Sequence, residues 1–301
     1  MSAAGDPGIE AVLARLRLQV TRRLDGLLHG DHAGLLPGPG SEAGEARPYA
    51  PGDDVRRMDW PVTARTTVPH VRETIADREL ETRIAVDLTA SLDFGTALRT
   101  KRELAVAATA AVAHLAGRGG NRVGAVLDVG GPLVRLPARA GRPGAEALLR
   151  RVAAAVPAGP GDLAALVDAL HRPARRRGLA VLVADLLAPP AEWARPLRLV
   201  GTRHDLLVVE ILDPRELELP DVGDLTVVDP ETGRRHEVPT GSARLRRRYA
   251  EAAAAHRTAV AAAIRAAGGG HLRLRTDSDW LRDLVGYVAG RRHALARGVA
   301  R

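Results

Sequence analysis

Three oxygen-bearing side chains alternate in Asp87-Leu88-Thr89-Ala90-Ser91, directly behind the apolar run Ile84-Ala85-Val86. Asp, Thr and Ser are hard donors. At alternate positions on one loop they offer the kind of oxygen set that Mg²⁺ accepts beside its own waters. A second apolar run, Leu179 to Val183, also ends in an acid, Asp185. If the two runs are neighbouring strands of a parallel sheet, their acids converge on the crevice beyond the carboxyl ends of the strands, where open α/β sheets bind ligands. A plainer reading fits the same residues: Asp87 and Ser91 can cap the loop and the helix behind it through local hydrogen bonds. Taken alone, the residues leave both readings open.

The other dense constellation is Arg47-Pro48-Tyr49-Ala50-Pro51-Gly52-Asp53-Asp54-Val55-Arg56-Arg57-Met58-Asp59-Trp60, closed by Ala64-Arg65. Charge, turn residues and aromatics at this density are costly to bury unless the charges pair. Pro51-Gly52 favours a turn, Asp53 and Asp54 can bond local backbone, and Arg56 or Arg65 can pair with Asp59 or Asp54. One reading is a structural latch, with Tyr49 and Trp60 as apolar anchors docking the N-terminal segment on the rest of the chain. The other is a recognition surface. A closed arginine–carboxylate network fixes the identity of every member, which favours the latch.

The elements that must position these groups follow from periodicity. Ile9, Val12, Leu13, Leu16, Val20, Leu24, Leu27 and Leu28 have helical spacing, so a helix is expected over about 8–29. Residues 30–53, rich in Gly and Pro, read as irregular, and those near 66–78 as an extended, partly exposed strand. From there strands (84–86, 123–129, 133–136, 179–183, 206–212, 272–274) alternate with helices (97–117, 143–155, 162–171, 190–200, about 25 residues from Ser242, and one after Ser278 or Asp279). Alternation of this kind implies a mostly parallel, doubly wound α/β sheet covered on both faces. A hairpin, 225–228 with 236–238, interrupts it within 213–241. The expected division is an N-terminal helix and irregular docking segment over 1–80, followed by the sheet domain over 81–301.

Composition narrows the function. No apolar run approaches the roughly eighteen residues of a membrane span, and Asp6 and Glu10 stand where a secretory leader would be basic, so a cytoplasmic protein is expected. The absence of cysteine excludes disulfides, thiolate metal sites and a cysteine nucleophile. The net charge of +8 invites nucleic acid, yet Lys101 is the single lysine among 44 basic residues, and the arginine bias reads as compositional. Only three Trp, three Tyr and one Phe are present, none interleaved with a basic run, so no base-stacking platform is expected. Arg15, Arg17, Arg22 and Arg23 on the first helix allow at most a peripheral contact with anionic lipid. There is no Gly-x-Ser-x-Gly elbow, His-Glu-x-x-His pair or phosphate-cradling Gly-x-x-x-x-Gly-Lys. A Mg²⁺-dependent hydrolase built on Asp87, with Asp93 as the spare acid on its loop, and a nucleic-acid-binding protein stand as the alternatives to a non-enzymatic binding module.

The segment from Arg47 to Trp60 with Ala64-Arg65 resembles the signature of the domain-of-unknown-function 58 family, with Arg47, Tyr49, Gly52, Asp53, Arg56, Asp59, Trp60, Ala64 and Arg65 in place. The resemblance runs from about residue 35 to the C-terminal helix and implies a von Willebrand factor A-like domain. It places Asp87, Thr89 and Ser91 at the first motif of a metal-ion-dependent adhesion site and Asp185 at the third. The second motif, often Gly-Thr-Asp-Leu in the family, is Pro160-Gly161-Asp162-Leu163 here, so a hydroxyl ligand is lost, and the first serine is Thr89. Mg²⁺ is the implied cofactor, with that departure against it. Implied partners are a MoxR-type AAA+ ATPase and protein clients that the pair assembles or remodels.

Overall fold

The computed structural model describes residues 46–50, 55, 58–72, 81–117, 121–171, 178–230 and 232–299. The helix expected over 8–29 and the signature residues Gly52, Asp53 and Arg56 lie outside these. Three short elements come first: β1 (Ala46–Pro48), α1 (Trp60–Thr66) and β2 (His70–Arg72). Strands β1 and β2 pair antiparallel, and Met58 bridges Val71. Of the strand expected over 66–78, the described part is β2, behind a helix that the periodicity missed; residues 73–78 lie outside the described residues. The signal was local: Asp59 caps α1 by accepting from Val62 N, and Pro61 lies in its first turn. Thr67, at a left-handed φ of 58°, ends the helix.

The sheet domain follows as β3 (Glu81–Asp87), α2 (Lys101–Gly117), β4 (Arg122–Asp128), β5 (Val134–Ala140), α3 (Gly141–Ala153), α4 (Leu163–His171), β6 (Leu179–Ala184), α5 (Pro190–Arg203) and β7 (Asp205–Leu212). The hairpin β8 (Asp224–Val228) and β9 (Arg235–Pro239), then α6 (Ala243–Ala266), β10 (Gly270–Arg275) and α7 (Trp280–Val299), complete it. Strand order is β10-β7-β6-β3-β4-β5, parallel except for the antiparallel edge strand β5. The sheet is therefore doubly wound and mostly parallel, as its sequence pattern implies. Among the described residues no helix is long and apolar enough to cross a membrane.

Side chains on a strand alternate between its faces, so one β3 serves two cores. Ile84 and Val86 pack with Leu104 and Val112 of α2, Leu148 of α3 and Leu284 of α7. Ala85, between them, packs with Leu166 of α4, Trp193 of α5 and Val260 of α6. Helix α2 is alanine-rich, the residue that costs a helix least, and it starts at a reciprocal cap. Glu103 N donates to Thr100 Oγ1 at 3.1 Å, while Thr100 N donates to Glu103 Oε2 at 2.8 Å. Chain direction across the sheet reverses at β3: β4 and β5 lie to one side, β6, β7 and β10 to the other. The switch point therefore falls between β3 and β6.

One acid is buried in the second core. Glu210 of β7 is solvent-inaccessible and accepts from Arg257 Nη1 at 3.0 Å, His271 Nε2 at 2.8 Å and Arg273 Nε at 3.0 Å. Burial alone would raise its pKa; the His271 hydrogen bond and the charges of Arg257 and Arg273 outweigh it and hold the carboxyl below its ordinary value of 4.5. A depressed carboxylate stabilises the fold above its unfolded value and ceases to as pH falls through the folded one. Glu210→Gln should therefore cost about 3–5 kcal/mol at pH 7, the usual range for breaking a buried pair. Urea unfolding at a series of pH values should show the gap to wild type closing as pH drops below 4.5.

Candidate functional site

The carboxyl edge of the sheet gathers acids from three adjacent strands. Asp87 ends β3, Asp128 ends β4 at the paired register position, and Asp185 follows the last residue of β6. All three are buried. Each is held by the turn it opens. Asp87 Oδ1 accepts from Thr89 N at 3.0 Å and from Thr89 Oγ1 at 2.8 Å, and Ser91 Oγ lies 3.3 Å from the same hydroxyl. Asp128 accepts from Gly130 N at 2.9 Å and, across the crevice, from Asp162 N at 2.8 Å. Asp162 in turn caps α4 by accepting from Ala165 N. Asp185 Oδ1 accepts from Leu187 N at 3.3 Å. Asp87, Thr89, Ser91 and Asp185, separated in sequence, are thus brought to one edge.

The other oxygen of Asp185 meets a cation. Lys101, the first residue of α2 and only 1% exposed, donates from Nζ to Asp185 Oδ2 at 2.7 Å and to Glu216 Oε1 at 2.5 Å. Its ammonium sits over the Phe94 ring, 5.8 Å from the centroid. Glu216 closes a 3₁₀ turn, Pro214–Glu216, whose cap is Asp213: Arg215 N donates to Asp213 Oδ1, and Asp213 N donates to Glu216 Oε2. Burial would lower the Lys101 pKa; Asp185 and Glu216 overcome that and raise it, keeping the ammonium charged. The carboxyl of Asp87 is pushed up to about 7, first by burial and then by the negative charge of Asp185, against the two hydrogen bonds from Thr89. Burial likewise raises Glu216.

Lys101, Asp128, Glu216 and Phe94 were not singled out from sequence. Asp128 had a signal, since it is a third strand ending in an acid. Lys101 had one too, as the single lysine of the chain. Glu216 and Phe94 reach the crevice only through tertiary structure.

The signature segment contributes differently from expectation. Asp59 is buried as the cap of α1, while Trp60, at the first position of that helix, is 67% exposed and Tyr49 36%. They are not buried anchors; among the described residues of this segment Val71, at 4%, is the buried apolar one. Arg65 is exposed on α1, and Arg47 contributes backbone to β1.

Mg²⁺ seeks near-octahedral oxygen coordination, and this arrangement does not offer it. One oxygen of Asp87 is already engaged, as are both oxygens of Asp185 and both of Asp128. Position 161 has no side chain, and among the described residues no three His, Cys, Asp or Glu side chains are grouped to hold a metal. A dication on Asp185 would also lie within roughly 5 Å of the Lys101 ammonium, a repulsion of about 7 kcal/mol at an effective dielectric constant near 20. The residues present do not fit the ion.

Geometry also explains Gly161. A Cβ there would stand 2.5 Å from Thr89 Cγ2 and 3.1 Å from Asp128 Oδ2. The methyl of Thr89 fills the space that a larger residue at 161 would need, so the two departures from the family pattern form one packing exchange. Gly161→Thr should cost about 1–3 kcal/mol as an overpacking change. Thr89→Ser in the same chain should recover part of it. Chemical denaturation of both single variants and the double variant checks this; a coupling below about 0.5 kcal/mol would make the sites independent.

Comparison with known proteins agrees with this architecture. The family model for "Protein of unknown function DUF58" matches residues 45–259. "Uncharacterized protein Rv1480" of Mycobacterium tuberculosis is 56% identical over 296 residues, 97% of this chain and 93% of that protein. Among solved structures, an aerotolerance-related membrane protein from Bacteroides fragilis superposes with a TM-score of 0.50 at 13% identity, over 70% of this chain and 97% of that one. That likeness is one of fold. The SpRpn10 VWA domain superposes with a TM-score of 0.42 at 11% identity, over 68% of this chain and 93% of the domain. The doubly wound, mostly parallel sheet is consistent with a von Willebrand factor A-like architecture. The chain is a member of the DUF58 family.

Proposed function

We propose that this protein is an interaction module that works with a MoxR-type AAA+ ATPase in assembling or remodelling client proteins, and that the carboxyl edge of its sheet is the docking face. One observation carries the reading. The loops after β3 and β6, which flank the crevice at the switch point, expose large apolar side chains: Phe94 at 38%, Leu98 at 73% and Leu187 at 45%. Exposed apolar side chains beside the place where open α/β sheets bind ligands suit a protein partner. Beneath them the polar groups are hydrogen-bonded to one another, which fixes the loops and holds the apolar rim in place. A rim that is already ordered loses little freedom on binding.

The partner's ATPase identity rests on the family resemblance and calls for a direct test. The purified protein, immobilised, should retain a MoxR-type ATPase from the same source. Leu98→Asp and Leu187→Asp should weaken that retention at least about tenfold, equivalent to 1.4 kcal/mol, with circular dichroism unchanged. Equal retention by wild type and both variants would move the docking face elsewhere. No retention by wild type would remove the ATPase from the reading.

A further inference from the structure

We propose that the Lys101 ammonium is the resident cation of the crevice. It takes the place that a divalent metal would have in a metal-dependent adhesion site, so that partner engagement by this module is independent of metal. The metal-independence of docking rests on the function proposed above; the place of Lys101 does not.

Three observations converge. First, the ammonium bridges Asp185, the acid that the resemblance gives to the third metal motif, and Glu216, which comes from a different loop. A metal would likewise cross-link loops by drawing carboxylates from separate strands onto one positive centre. Second, the residue type is singular. Of 44 basic side chains one is lysine, and it lies at the crevice. An ammonium is a compact point charge with three donors, whereas the planar guanidinium common elsewhere in this chain needs a wider, flat partner. Here two carboxylates receive the head, and the chain's one phenylalanine covers it. Third, the remaining donors of the adhesion motif have turned to one another. Thr89 gives its hydroxyl proton to Asp87, Asp128 holds two backbone amides, and Gly161 leaves no room for a ligating side chain. A crevice whose acids already have a resident cation or hydrogen-bond donors has no open coordination position for a partner's carboxylate. Recognition then falls to the rim.

The lone lysine makes the test direct. Isothermal titration of Mg²⁺ and Mn²⁺ into wild type should give no saturable binding. Lys101→Met keeps the length of the side chain and removes the charge, leaving Asp185 and Glu216 without it. That variant should acquire Mn²⁺ binding at least about tenfold tighter than any in wild type, and Asp87→Ala in the same chain should abolish it. Saturable Mg²⁺ binding by wild type that Asp87→Ala removes would overturn the proposal, as would a folded Lys101→Met that binds no divalent ion. Should Lys101→Met fail to fold, wild type labelled with [¹⁵N]lysine decides. Its single ammonium resonance should be protected from solvent exchange and unmoved by millimolar Mg²⁺; an unprotected resonance, or a saturable shift, overturns the proposal. Partner retention, where present, should survive EDTA. Its loss in EDTA would overturn metal-independent docking, whereas absence of retention under all conditions would bear on the partner alone and leave the titrations to judge Lys101.

Discussion

A parallel sheet whose central strands all end in buried acids must find positive charge or donors for them, or it does not close at that edge. Asp87, Asp128, Asp185 and Glu216 meet this constraint in two ways. Asp87 and Asp128 bend their own turns back as hydrogen-bond donors. Asp185 and Glu216 share the head of Lys101, which ties the start of α2 to the loop after β6 and to the turn after β7. Breaking such a pair by removing one partner typically costs about 3–5 kcal/mol, a large part of a domain's stability. Much of the loop architecture is arranged around it. Asp213 accepts from Thr96 N, Thr96 Oγ1 and Thr276 Oγ1, strapping the loop before α2 to the ends of β7 and β10. Arg102 donates to the carbonyls of Leu88 and Ala155, joining the loops on the far side of the crevice.

The second core supports the same edge from behind. Arg257 of α6 donates to the Asp185 carbonyl at 2.8 Å as well as to Glu210, and His256 bonds the Leu186 carbonyl at 2.8 Å. Leu186 adopts a left-handed φ of 54°, uncommon for a branched side chain, and is fully buried. Backbone strain of this kind persists where surrounding structure over-determines it, and it gathers at binding sites. The loop after β6 is therefore pinned on both faces of the sheet, by α2 on one and α6 on the other. A rigid rim over a closed polar base suits a module that offers shape rather than chemistry.

Much of this could be read from the chain alone. Two of the three strand-end acids stood out because β3 and β6 are buried on both faces and so appear as continuous apolar runs closed by a charge. The helices α2 and α6 were legible from alanine content and from the Ser242 cap. What escaped was local or long-range in a particular sense. Helix α1 was hidden by its brevity, although Asp59 with Pro61 is a start signal. Trp60 was expected inside, because an aromatic among charges suggests an anchor, yet the helix turns it outward. Lys101 escaped because a lysine in the first turn of a helix ordinarily points to water, and nothing in its neighbours reveals that Glu216 waits 115 residues away. The glycine at 161 read as a lost ligand, and only the position of the Thr89 methyl shows it to be a steric necessity.

The burial of that one ammonium has a consequence for the rest of the surface. With Lys101 at 1% exposure and no other lysine in the sequence, the folded chain presents no ε-amine to solvent. Acylation, which elsewhere erases positive charge one lysine at a time, has no substrate on these side chains, and amine-directed cross-linkers have no ε-amine to grip. The arginines, 43 of the chain's 44 Lys and Arg residues, carry guanidinium groups that stay charged across the whole physiological pH range and lie beyond the reach of lysine-modifying enzymes.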